Sequence, residues 1–139
     1  MSNASSPHGP QNPYSAPLEH KPMTAGQDSQ TQQWALILHL SQFAGYAIPL
    51  LGLIAPIVIW QIKKNELPSL DAHGRVVANW MISEFIYFLL TLALCLVVVG
   101  FFLLPVLAIL SIVFPIVGAV KASQGEVWKY PGSIPFFRV

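Results

Sequence analysis

Three long apolar stretches alternate with short polar ones along this chain. Trp34 to Trp60 contains no Asp, Glu, Lys or Arg, Val76 to Val99 contains only Glu84, and Phe101 to Val120 contains none. Each matches or exceeds the roughly 20 apolar residues that cross about 30 Å of hydrocarbon as a helix. The pattern predicts an all-α fold: a small polytopic transmembrane helical bundle over about residues 34–122. The expected segments are about 34–62, 76–98 and 103–121, preceded by a polar tail at 1–33 and followed by an interfacial tail at 123–139.

The first stretch admits two architectures. Gly45, Pro49, Gly52 and Pro56 interrupt it, so a straight helix is not expected. At 1.5 Å per residue it would still measure about 39 Å, enough for one kinked span. The alternative is a helical hairpin that turns at Pro49 to Gly52, with two arms of about 15 residues each, short for a full crossing. One choice gives three spans, the other four helices.

The other two stretches are simpler. Pro68 disfavours helix at Leu67, Ser69 or Asp71 is placed to cap the second helix, and that helix can run to about Val98. Gly100 is expected to break the run, with the next helix starting near Leu104 and Pro105 in its first turn. So short a link requires a tight antiparallel hairpin. Ala108, Ser111, Pro115, Gly118, Ala119 and Ala122 then fall close to one face. Small residues at this spacing let helices pack closely in lipid, and that face is expected inside the bundle rather than along a substrate groove.

Composition narrows the function classes. The chain has 139 residues, 54% hydrophobic and 9% charged, far from the roughly 25% charged of soluble domains. A net charge of +1 argues against nucleic acid as a partner. Cys95 is the only cysteine, so no internal disulfide can form, and its apolar helix makes it a small hydrophobe rather than a reactive thiol. The polar tail, with prolines at positions 7, 10, 13, 17 and 22, reads as disordered and as a tether, the Pro13-Tyr14 pair being too short a signal for a docking motif. No cleavable signal peptide is expected.

Positive charge sets the expected orientation. Lys63, Lys64 and Arg75 lie in the first loop, Lys121, Lys129 and Arg138 come after the last stretch, and the link at Gly100 has none. The positive-inside rule places the 63–75 loop and the C-terminus in the cytoplasm, with the protein integral to the inner membrane. Trp34, Trp60, Trp80 and Trp128 lie near segment ends and read as interface anchors. Residues 123–139 mix aromatics, prolines and charge, as an extended segment at the interface or docked on the bundle would.

Polar residues within the stretches are the candidate site. Arg75, Asn79, Ser83, Tyr87 and Thr91 recur every four residues and form one polar stripe on the second helix, with Glu84 about 100° beside it. His39, Gln42 and Tyr46 share a face of the first helix, and the two polar faces are expected to meet. Intramembrane His39 and Glu84 pose a functional question by default. They come within reach of each other only in the hairpin architecture, either as a proton relay or substrate patch, or as structural hydrogen bonds between helices.

Enzyme signatures are absent: no nucleophile elbow, zinc-protease motif, Walker loop or dinucleotide fingerprint occurs. His8, His20, His39 and His73 have no spacing suited to one metal site. No enzyme activity, cofactor or metal is expected.

A set of dispersed motifs narrows the family. They are Trp34-Ala35-Leu36-Ile37-Leu38-His39-Leu40-Ser41, the punctuation at Gly52 and Pro56, and Ile59-Trp60-Gln61-Ile62-Lys63-Lys64. His73-Gly74-Arg75, Asn79-Trp80, Ile82-Ser83, Ile86-Tyr87, Lys121-Ala122, Gly125-Glu126 and Tyr130-Pro131 come next in order. Over about residues 30–139 this set resembles a family of small bacterial membrane proteins of unknown function, distantly similar to the Tic-twenty subunit of the plastid inner-envelope translocon. The resemblance implies a helical bundle of three or four helices and supplies no catalytic residues. The chain departs from it at Trp80-Met81, where Phe-Gln is usual. Two functions remain open: a non-enzymatic membrane protein that assembles with itself or others in the lipid bilayer, or a small channel or translocation component using the polar stripe.

Overall fold

The break in the first apolar stretch falls at Ile48, whose extended backbone (φ −138°, ψ 110°) separates two helical arms. In the computed structural model, which describes residues 25–139, the chain runs α1 (Ala25–Leu40), a 3₁₀ turn (Ser41–Phe43), α2 (Ala44–Ala47), α3 (Pro49–Lys63), α4 (Leu70–Cys95) and α5 (Val99–Ser123). No strand occurs among the described residues. The protein is an all-helical bundle.

The first stretch is a hairpin, and its turn lies earlier than the sequence suggested. Pro49 opens α3, where its missing N–H costs nothing, and Gly52 lies inside that helix. The arms return side by side: Lys63 Nζ stands 4.8 Å over the Trp34 ring. Near the tip a Cβ on Gly52 would come within 2.7 Å of Gly45 Cα and 2.9 Å of the Gln42 carbonyl. The two glycines let the backbones touch, the packing device expected between helices in lipid. With 15 residues, α3 is only about 22 Å long.

The two longer helices differ from expectation at their shared end. α4 has 26 residues and α5 has 25, both long and apolar enough to cross a membrane. α4 stops at Cys95 rather than Val98, and α5 starts at Val99 rather than near 104. The tight turn uses Val98 at φ 68°, a conformation that β-branched residues rarely adopt. Gly100 does not break the helix: it sits in the first turn of α5, where a Cβ would run into Cys95 N and the Thr91 carbonyl. Glycine here permits close approach of α5 to α4. At the other end Ser69 occupies the N-cap position of α4 without a side-chain capping bond.

α1 begins at Ala25, so helix extends nine residues into the segment expected to be disordered. The Pro13-Tyr14 pair, His8 and His20 lie outside the described residues. α1 packs against α4 and α5, and Ala35, Leu38, Trp60, Leu70, Val77 and Ala122 make one buried cluster near the α3–α4 loop. The small-residue face of α5 divides: Pro115, Gly118, Ala119 and Ala122 are buried, whereas Ala108 is exposed.

Candidate functional site

The polar stripe of α4 holds the C-terminal segment. Beyond α5 the chain reverses at Gly125 (φ 80°), descends to a tip at Pro131-Gly132, and returns antiparallel to α4. Arg75 donates from its guanidinium to the Arg138 carbonyl at 3.1 Å. Asn79 donates from Nδ2 to the Phe137 carbonyl at 2.7 Å and accepts the Phe137 N–H on Oδ1 at 2.6 Å. Ser83 Oγ accepts the Ile134 N–H at 2.7 Å, and Tyr87 donates to the Gly132 carbonyl at 2.5 Å. Four stripe residues, one per turn, each meet the main chain of one extended strap.

Lengths explain the match. Arg75 to Tyr87 spans 12 residues of helix, about 18 Å. Gly132 to Arg138 spans six residues of near-extended chain, about 20 Å. The chemistry explains the need. An extended segment against a membrane helix has main-chain N–H and C=O groups without secondary-structure partners, and each must be satisfied within the protein. The stripe supplies both donors and acceptors. Strap and stripe therefore satisfy one another.

Aromatic rings gather where the chain enters the strap. Tyr130 stacks on Phe114 with centroids 5.8 Å apart and meets Trp80 at 5.4 Å and Trp128 at 5.1 Å edge-on. Trp80 also lies 4.7 Å from Phe114 and is 1% exposed. It is a core residue, not the interface anchor expected from the sequence. Its Nε1 is buried near Glu84 without a well-formed hydrogen bond. Phe137 packs edge-on against Trp60 at 5.9 Å.

His39 joins the strap to α1. Its Nδ1 lies 2.6 Å from Tyr130 Oη, which also accepts from Gln42 Nε2 at 3.4 Å. On the other side His39 Nε2 lies 3.5 Å from His73 Nδ1, too far for a well-formed bond. Burial pushes the Tyr130 phenol well above its ordinary value, against the opposing effect of the Gln42 hydrogen bond, so it acts as a neutral hydroxyl. Space here is tight: a Cβ on Gly118 would meet His39 Nδ1 at 2.5 Å and Tyr130 Oη at 2.7 Å. Among the described residues no three His, Cys, Asp or Glu are grouped to hold a metal ion.

The residues singled out in the sequence thus fall into separate groups. His39 and Gln42 come together, on Tyr130. Asn79, Ser83 and Tyr87 come together on the strap. Glu84 stands apart: it does not pair with His39 but lies beside Ser111 and Trp80. It lines an open groove of about 620 Å³ between the hairpin tip, α4 and α5, with Tyr46, Leu50, Phe88 and Leu107 among the walls. Tyr46 reaches across to α5, 2.7 Å from Ser111 Oγ.

The sequence model of the MamF/MmsF family, described as the magnetosome magnetite crystal formation protein family, matches residues 30–137. This chain belongs to that family. It is thus a magnetosome-associated membrane protein. No curated protein and no solved structure matches the chain, and nothing supports the similarity to the Tic-twenty subunit. The match takes in the hairpin, both long helices and the strap as far as Phe137. In this magnetosome-family chain the strap is thus part of the matched unit rather than an appendage. Tyr130, His73 and Phe137 were missed as site residues. For Tyr130 the available signal was its place in an amphiphilic segment before Pro131-Gly132; for His73 there was none beyond its type.

Proposed function

We propose that this protein is a non-enzymatic, multi-pass scaffold of the magnetosome membrane that assembles with itself or with other membrane proteins. The observation that carries the structural, non-channel part of the reading is the occupied stripe. Polar residues in a span usually mark a pathway or a partner contact, and here Arg75, Asn79, Ser83 and Tyr87 are engaged by the chain's own strap. That favours a self-contained structural unit over a channel that uses the same stripe. Its outward surface on the far half is apolar, from Phe85 and Leu90 to Phe101 and Phe102, as suits a body in contact with lipid and neighbouring helices. Lys63, Lys64, Arg75 and Arg138 cluster at the loop end, which by the positive-inside rule is the cytoplasmic one.

Cross-linking in intact membranes tests it. Bands above the monomer, retained when the reagent dose is lowered, are expected. Only monomer at every dose would refute the assembly reading.

A further inference from the structure

We infer that the groove at Glu84 is a docking site for a transmembrane helix of another protein, one that carries a Lys or Arg at mid-span. The inference rests on the assembly reading and names the chemistry of the partner. Its first support is an acid without a base. The ion pairs among the described residues join Lys63 to Glu66, Arg75 to Asp71 and Lys121 to Glu126. None reaches Glu84, although it lines an apolar groove well inside a membrane-length helix. Ionisable residues at such depth are costly and pair with one another or with main-chain carbonyls.

Depth selects the occupant. Glu84 lies 14 residues past Leu70 and 11 before Cys95, about 21 Å and 16 Å from the two ends of α4. A lipid amine sits at the headgroup level, remote from it. A second copy offers nothing better, because Trp34 to Trp60 and Phe101 to Val120 contain no Lys or Arg, nor does Val76 to Val99. A foreign helix is the source that fits.

The shape agrees. The α3 arm is about 22 Å long against about 30 Å of hydrocarbon, so the hairpin covers only part of the α4–α5 pair. The groove opens where it ends. Ala108 on the α5 wall keeps that side of the groove low enough for a helix to approach, the geometry that helix association in lipid uses. Leu50 at the tip is 65% exposed and faces outward beside Tyr46, which is held to Ser111 on α5.

The test uses the full chain in liposomes and two synthetic transmembrane Leu-Ala peptides, identical except for Lys or Leu at the centre. Binding is read by energy transfer from labelled protein to labelled peptide. The Lys peptide should bind at least ten-fold more tightly than the Leu peptide, and Glu84→Gln should abolish that difference. Ala108→Leu, which narrows the groove but keeps the acid, should weaken the Lys peptide as well. Equal binding of both peptides, saturable binding of neither, or a Lys preference untouched by Glu84→Gln would overturn the inference. Cross-linked oligomers that persist while the peptides fail would leave the assembly reading standing and remove only this one.

Discussion

The two halves of α4 live in different environments. From Leu70 to Ser83 the helix is enclosed: Leu70, Val77, Trp80 and Ser83 are almost wholly buried, and Asn79 is bonded to the strap. From Phe85 to Cys95 it faces mostly outward, with Phe85, Leu89, Leu90 and Leu92 all about half exposed and Thr91 buried. Hydropathy alone does not separate them, since both belong to one candidate span. The difference teaches where this fold gets its stability. In lipid, apolar burial gives little drive between helices, so close backbone packing and internal hydrogen bonds decide. Close packing occurs at both ends, at Gly74 and Gly118 in the loop half and at Gly100 in the far half. The hydrogen bonds, by contrast, gather towards the loop half, at Arg75, Asn79, Ser83 and Tyr130.

Substitutions that break this contrast should scale accordingly. The largest effect is expected at Gly74, where a Cβ would collide with the Trp60 ring. Gly74→Val should cost about 3 kcal/mol through overpacking, read as a shift in the denaturation midpoint in mixed micelles. Asn79→Ala comes next. It removes two bonds to Phe137, and the unsatisfied strap groups should cost about 1–3 kcal/mol. Protease sensitivity of the C-terminal segment should rise with it, while the helices keep their circular dichroism.

Tyr130→Phe keeps the ring stacking and deletes the hydroxyl on His39. A loss of about 1 kcal/mol is expected at neutral pH. The same variant should also alter the alkaline limb. Because burial raises the Tyr130 phenol in the folded state, the unfolded chain releases its proton first. Stability should therefore fall as pH rises above about 10. Tyr130→Phe should flatten that fall, and an identical slope in both proteins would exclude Tyr130 as its source. The smallest effect is expected in the far half: Leu90→Ala, at a position 56% exposed, should change stability by less than about 0.5 kcal/mol. A loss there as large as at Asn79 would erase the distinction between the halves.

Features of this fold were legible in the sequence to the extent that they depend on local pattern. The bundle and its two long helices come from charge-free length, which is local. The stripe comes from i, i+4 recurrence, also local. An extended C-terminal segment, at the interface or docked, was legible, but its pairing with the stripe was not. The stripe binds main-chain groups that every residue carries, and no side-chain code in residues 132–138 announces the match. The hairpin stayed undecided for a different reason. The length of Trp34 to Trp60 supports one kinked span, and the break at Ile48 with the contacts of Gly45 with Gly52 and Lys63 with Trp34 resolves it. Trp80 looked like an interface anchor from its position near a segment end. Phe114 and Tyr130 cover it and turn it into core.

The docked strap is tested most directly by hydrogen exchange at the Ile134 and Phe137 amides in lipid nanodiscs. Both donate to side chains of α4, at 2.7 Å and 2.6 Å. Protection of at least ten-fold over an unstructured peptide is expected, lost at both amides in Asn79→Ala while α4 and α5 stay protected. Exchange at the free-peptide rate in the unaltered protein would contradict a strap held by the stripe.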